Sequence, residues 1–516
     1  MQGLALRTLP LLLMGCFSAH ASHSATIAWR TCDGIVDHQD IEALGPRLKC
    51  GKLEVPFDHA RPGDSRTLAL DVVLATAGAP SATQRTLLLE GSEKHANLPA
   101  RAVQAWDAAM SGASNGALGD LADAFDIVAL ANRHDIWKPS AGCATLDLTA
   151  LERVSTDPED NQAWDYFKDY AGRCADEAQH LGTSQRAADV EWLRRALGID
   201  KLDILAGGHG AGLVTSYATQ YPQSTGRVLI DNGINLDHGW DRYFVGSAES
   251  LERERHRQAY VPAAMEPRRW ELGDSAQEVR DNVFGRVPML FRTRWAGLLW
   301  EPADLRAAVE VARLYLNAGD VARKDMLSQV EHHRFMIDDA DDARVRRTAR
   351  AMVAAFPEQG IWRLGTFRAS FLPALCNDLS LRRDEEGVRQ WLRSAQDQWL
   401  HWDQRMIAAM VVCSQWKESS QPKATLDALS KLPPFVWLHY GEHRTYPLAA
   451  VQPYLDELPN VRQVVIGGPQ AVVNGRPNLY ALGPAQPCAS QIGAHYLLTG
   501  ETPSQSVTAC PAQGTP

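Results

Sequence analysis

Short apolar runs separated by turns set the pattern of the first half of the chain. Lys52 to Pro56 and Thr67 to Ala75 alternate or run apolar, and predict early strands. "TLLLEG" (Thr86 to Gly91) and "FDIVALANR" (Phe125 to Arg133) predict buried strands leading into loops. The period then changes. In "AADVEWLRRALGI" (Ala187 to Ile199), Val190, Leu193 and Leu197 fall at helical spacing with polar residues between them. "KLDILAGG" predicts a strand, "AGLVTSYATQYP" a helix stopped before Pro222, and "GRVLIDNG" a further strand. This alternation predicts an α/β fold, a mostly parallel sheet with helices on both faces.

From about His238 to Trp416 the pattern turns helical, in segments rich in Arg, Trp and Glu such as "PADLRAAVEVARLYLNAG" and "DARVRRTARAMVAAF". After Ser420 the alternation returns: "PPFVWLHYG" predicts a strand, "YPLAAVQPYLDEL" a helix and "VRQVVIGG" a strand. The economical architecture is one α/β core, residues 22–237 and 421–516, interrupted by a helical cap insertion, residues 238–420, over the strand ends.

Composition narrows the function classes. The 516 residues are 45% hydrophobic and 22% charged, which fits a globular protein with a large core. A formal net charge of −10 excludes the basic footprint of a nucleic-acid binder. The N-terminus reads "MQGLALRTLPLLLMGCFSAHASHS", with Arg7 before an apolar run from Leu9 to Phe17 and a small-x-small site at Ala19-His20-Ala21. That order predicts a signal peptide over residues 1–21 and a periplasmic or extracellular protein with no transmembrane segment. "LMGC" (Leu13 to Cys16) resembles a bacterial lipobox, so a lipid anchor at Cys16 is the alternative to ordinary cleavage. Loss of Cys16 leaves an even set of cysteines in four neighbouring pairs. Pairing by neighbours is expected: Cys32–Cys50, Cys143–Cys174, Cys376–Cys413 and Cys488–Cys510. No CxxC spacing suggests a cysteine zinc site, and no cofactor is expected.

The candidate chemistry centres on "LAGGHGAGL", Leu205 to Leu213. Glycines crowd one polar residue between a strand and a helix, the layout of a G-x-S-x-G nucleophile elbow, but the tip is His209. Other pieces follow in a set order. "CGKLEVPFDHARP" (Cys50 to Pro62) reads as an opening strand, and "RAADVEWLRRALGIDKLDILAGGHGAGLVTSYATQYP" as helix, strand, elbow and helix. "ALCND" (Ala374 to Asp378) and "CSQW" (Cys413 to Trp416) come late in the helical part, and "PCASQIGAHYLLTGETP" with Cys510 closes the chain. Taken together, the chain resembles the secreted α/β-hydrolases of the tripeptidyl-aminopeptidase and proline-iminopeptidase type. The resemblance implies an α/β-hydrolase fold with an inserted cap, and a serine, an acid, a histidine and a glycine-rich oxyanion loop.

Each of those four parts departs from the pattern. His209 stands at the elbow serine. In "YGEHRTYP", matched to Pro447, His443 stands at the acid, with Glu442 adjacent. In "VVIGGPQAVV" Ala471 stands at the base histidine, beside Gln470. The oxyanion loop reads "EGSEKHAN": Gly91 remains, while Glu93, Lys94 and His95 replace glycines. The neighbouring "ANRHDIWK" keeps Arg133 alone. The expectation is therefore a pseudoenzyme whose former active site binds a peptide, a small molecule or a partner protein. Its pocket would be framed by Gly91, His95, Arg133, His134, Gly208, His209, Gly210, Glu442 and His443.

Two other readings compete. A relocated nucleophile, Ser92 or Ser140, would keep the chain an active serine hydrolase. A metal held by His95, His134, His209 and His443, with His439 nearby and oxygen from Glu90, Glu93 or Glu442, would use imidazole chemistry, though no HxH or HExxH spacing supports it. His332-His333 reads as surface, and the arginines from Arg344 to Arg350 and Arg382-Arg383 as solvated faces offset by nearby acids. The 15 tryptophans read as core and cap packing.

Overall fold

The computed structural model describes residues 25–512, except 62, 80–83, 92–98, 101, 103–116, 235, 237–247, 250, 320–322, 324, 356–360, 364–365, 379–383, 396–403, 418–420, 443–447, 470–471, 474–475, 478–481 and 483–485. The signal and lipobox readings lie outside the described residues.

Period-two and continuous apolar runs build one sheet of ten strands. These are β1 (Ile27–Arg30), β2 (Leu48–Pro56), β3 (Thr67–Ala75), β4 (Arg85–Glu90), β5 (Phe125–Leu130), β6 (Leu202–Gly207), β7 (Thr225–Asp231), β8 (Phe435–Glu442), β9 (Val461–Pro469) and β10 (Val507–Cys510). Their spatial order is β1-β2-β3-β5-β4-β6-β7-β8-β9-β10. The pairs β1–β2, β2–β3 and β3–β5 are antiparallel; every later pair is parallel. Pattern and topology agree. β2 alternates, with Leu53 and Val55 buried and Glu54 exposed between them, as suits a sheet margin. β6 is buried at every position because helices cover both faces of a parallel sheet.

The helices used below are α1 (Asn161–Glu177), α2 (Thr183–Leu197), α3 (Gly210–Gln220), α4 (Pro302–Asn317), α5 (Asp339–Ala354), α6 (Thr366–Asp378), α7 (Gln404–Ser414) and α8 (Pro487–Thr499). Gly198, with φ +69°, closes α2 in the left-handed conformation that glycine adopts without a Cβ clash. The helical spacing of Val190, Leu193 and Leu197 is confirmed, and Arg195 between them is exposed, but the polar residues that open the helix do not face solvent. Every residue from Thr183 to Glu191 is buried.

The helical stretch divides into two packing groups. One has a core of its own, with Tyr260, Trp270, Phe291, Trp295, Leu305 and Met352 among its buried side chains. The other, α6 and α7, joins the main core beside Trp164, Phe167 and Tyr170 of α1. The end of α6 also completes the start of α2. Asp378 accepts hydrogen bonds from the Thr183 N–H (2.7 Å) and hydroxyl (2.6 Å), supplying the cap that Gly182 lacks. Asn377 donates to the carbonyls of Ala178 (2.9 Å) and Leu181 (2.7 Å). A two-stranded ribbon pairs Thr145–Asp147 with Ile361–Arg363, the second of which lies where only helix was expected; three residues are too few for alternation to show.

All four expected disulfides form: Cys32–Cys50, Cys143–Cys174, Cys376–Cys413 and Cys488–Cys510. Cys488–Cys510 ties α8 to β10, an edge strand the sequence pattern did not announce. Cys376–Cys413 closes a 37-residue separation between α6 and α7. Its double replacement, C376A/C413A, is expected to lower stability by about 3–4 kcal/mol through added freedom of the unfolded chain. Urea unfolding measures this, and an unchanged midpoint would contradict it.

Candidate active site

The parallel strands bring their carboxyl ends to one edge of the sheet: Glu90 closes β4, Arg133 and His134 open a short helix after β5, and His209 stands between β6 and α3. β6 ends at Gly207, and α3 begins at Gly210. Gly208 makes the turn with φ +54°. Its N–H donates to the Asp231 carbonyl (3.1 Å), and its own carbonyl accepts from the Ile234 N–H (3.0 Å), so the turn is fastened to the end of β7. At Gly210 a Cβ would approach the Glu90 carbonyl and Cγ to 3.2 Å. In a nucleophile elbow the nucleophile itself occupies the strained turn. Here the left-handed angle belongs to the preceding glycine. His209 has φ −63° and ψ −19°, ordinary helical values, and is 9% exposed.

The next loop is pinned as tightly. Asn232 has φ +47°, a conformation asparagine tolerates better than most residues. Its N–H donates to the Leu438 carbonyl (2.8 Å), its Oδ1 accepts from the Tyr440 N–H (2.9 Å), and its Nδ2 donates to Asp231 (2.6 Å). β7 and β8 are thereby tied together at their ends.

Beneath the edge, α2 inserts a buried polar cluster. Arg133 has no exposed surface and forks onto Asp189 at 2.7 and 2.6 Å. Its remaining N–H groups donate to the carbonyls of Phe57 (2.8 Å), His180 (2.9 Å) and Pro56 (3.1 Å). All five guanidinium N–H donors are thus engaged. His59 Nε2 lies 2.8 Å from the same Asp189 carboxylate. One turn earlier, Arg186 pairs with Glu90 (3.0 Å) and donates to the carbonyls of Leu130 and Ala131 (both 2.7 Å). Gln185 donates to Asp58 (2.6 Å) and accepts from the His59 N–H (2.9 Å). One helix therefore holds the carboxyl ends of β2, β4 and β5.

Charge in this interior is strongly biased. Burial would push the Asp189 carboxyl up, but the Arg133 guanidinium and the His59 hydrogen bond outweigh it and hold it down at about 2. Burial, reinforced by Arg186 and Arg133, pushes His134 down to about 3. Burial and Arg133 push His180 down to about 4. Neither histidine's Nε2 has a hydrogen-bond partner among the described residues. Both stay neutral in the fold and would take up protons near pH 6.5 when unfolded. Stability is therefore expected to fall as pH drops from about 6.5 toward 4, by up to about 1.4 kcal/mol per pH unit for each histidine. The Asp189 contribution is present above about pH 4 and is lost as pH falls toward about 2. Thermal melts across this range should show the decline, and the H134Q/H180Q double variant should flatten it. R133M, which strands the Asp189 charge, is expected to lose about 3–5 kcal/mol.

The structure sorts the residues anticipated for the pocket. Gly91, His134, Gly208, His209 and Gly210 lie at the strand-end edge. Arg133, expected to face a ligand, is instead an interior residue with no N–H left to offer. Glu442 ends β8, and only its backbone is described. His95, His443, Ala471 and Ser92 lie outside the described residues. Ser140 is exposed, its N–H bound to Glu177 (2.7 Å). Among the described residues no group of three or more His, Cys, Asp or Glu is arranged to hold a metal. Reading by residue type missed Gln185, Arg186 and Asp189. The available signal was the run "TSQRAADVE", polar residues in a helix where burial demands partners.

No family model matches the chain. Over 260 residues it is 25% identical to serine protease Hip1 of Mycobacterium tuberculosis, covering 45% of each chain. Over 280 residues it is 26% identical to the tripeptidyl aminopeptidase of Streptomyces lividans, covering 51% of this chain and 50% of that one. The chain thus spans about half the length of the curated relatives it matches. Among solved structures, an acetylester hydrolase from Corynebacterium glutamicum aligns over 83% of this chain and 90% of that one, at 11% identity and a TM-score of 0.34. Sheet order, elbow and sequence relatives together define an α/β-hydrolase. Within that class, the relatives that match part of the chain are a serine protease and a tripeptidyl aminopeptidase.

Proposed function

We propose that this protein is an exported, aminopeptidase-like α/β-hydrolase homologue that binds a peptide or small molecule at the elbow edge without serine-type hydrolysis. The observation that carries the reading is the tip of the elbow: an imidazole on relaxed helical backbone, where a hydrolase needs a hydroxyl on a strained turn. The named activities of the relatives, a serine protease and a tripeptidyl aminopeptidase, point to peptides as the ligand class. The start of α3, an 11-residue helix, lies at this edge, and the positive end of its dipole suits a carboxylate. Four disulfides fit an oxidising compartment, and no helix of the described residues is long and apolar enough to cross a membrane.

The test is catalytic. Aminoacyl-p-nitroanilides and p-nitrophenyl esters should turn over no faster with the protein than in buffer, and a fluorophosphonate probe should leave its mass unchanged. Covalent labelling of Ser92 or Ser140 would establish the relocated-nucleophile reading. Esterase activity gained by His209→Ser alone would reveal a working base and sink the proposal. Intact mass of the exported protein separates cleavage near Ala21 from lipid on Cys16.

A further inference from the structure

The helical group with its own core carries a feature separate from the elbow. Beside a π-helical turn, His256–Tyr260, α4 and α5 border a cavity of about 510 Å³. Its walls bear opposite charges. Trp300, Glu301 and Asp304 line it from the start of α4, Arg344 and Arg347 from α5, and Gln258 from the π turn. π turns are rare and recur at functional sites.

The wall groups are held in place. Asp304 accepts from the Thr348 hydroxyl (2.7 Å) and from the N–H groups of Trp300 (3.0 Å) and Glu301 (2.9 Å). Glu301 pairs with Arg344. The Arg255 guanidinium lies 4.9 Å from the Trp300 ring centroid and is itself anchored by the Leu299 carbonyl (2.8 Å) and Glu252 (3.0 Å). The arginines of α5 are offset by acids, as their spacing suggested: Arg346 by Asp342, Arg350 by Glu331. Arg347 is the departure. It lines the cavity with no partner among the described residues.

We propose that this cavity binds a small zwitterion of the amino-acid or dipeptide type. The carboxylate would take the planar fork of Arg347, a charge-assisted and geometrically specific contact. The ammonium would face Glu301 and Asp304, and the body of the ligand would pack on the Trp300 indole. A phosphate dianion would meet two acids, and a plain cation would meet two guanidiniums. One body carrying both charges answers both walls. The volume falls within the range of about 300–1,000 Å³ common to small-molecule sites. Nothing in this assignment depends on the elbow.

Titration calorimetry on the full chain tests it, with alanyl-phenylalanine, its N-acetyl form and its C-terminal amide as probes. The free dipeptide should bind, and either blocked form should bind at least about tenfold more weakly. Arg347→Gln and Trp300→Ala should each weaken the free dipeptide by a similar factor. Arg347 is exposed, so an unchanged melting temperature should accompany its substitution. Absence of binding overturns the proposal, as does equal affinity for a blocked form. Unaltered affinity in Arg347→Gln places the ligand elsewhere and overturns it too.

Discussion

The pairing of Arg133 with Asp189 is the constraint on which the strand-end edge depends. Both groups are removed from water, and a charge in that position is tolerable only with a partner and filled hydrogen bonds. Here the condition is met completely: two bonds to the carboxylate and three to carbonyls of segments otherwise far apart in sequence. With Arg186 on Glu90 one turn away, α2 becomes the part that fixes where β2, β4 and β5 end. A buried ion pair is weak evidence for net stability. Its effect is to single out one arrangement, because every alternative leaves a charge bare.

That constraint explains why the glycines around His209 read like an elbow although the tip is a histidine. Gly210 lies against Glu90, which Arg186 holds, so a Cβ there would press on the end of β4 at 3.2 Å. Gly208 makes a left-handed turn fastened at both of its backbone groups to β7 and the loop beyond it. Gly233 has no room for a side chain, with Ile230, Trp437 and Ala211 all within 2.8 Å of where a Cβ would stand. These demands come from packing. They hold whichever residue occupies the tip, so a hydrolase framework can keep its outline while the tip changes.

The helical part follows a different logic. Its larger group buries aromatic and aliphatic side chains against one another and needs nothing from the sheet to form a core. The later helices, α6 and α7, are linked by Cys376–Cys413 and reach back through Asn377 and Asp378 to finish the start of α2. The helical stretch thus also returns to brace the helix beneath the candidate site.

Periodicity alone determined most of the framework. The pattern marks Thr67–Ala75 to the residue, and the strand, elbow and helix around His209 to within about two residues, because buried strands and helices impose periods that survive without knowledge of partners. Neighbouring cysteines announced their own pairing, since residues close in sequence are seldom far apart in space. Tertiary structure decided what no period encodes. It turned Arg133 from a pocket residue into an interior one, buried the polar face of α2, split the helical insertion between two cores and opened a charged cavity beside Arg347. The physical reason is common to all four. A polar side chain's role is set by which groups from distant segments reach it, and that information exists only once the chain has closed on itself.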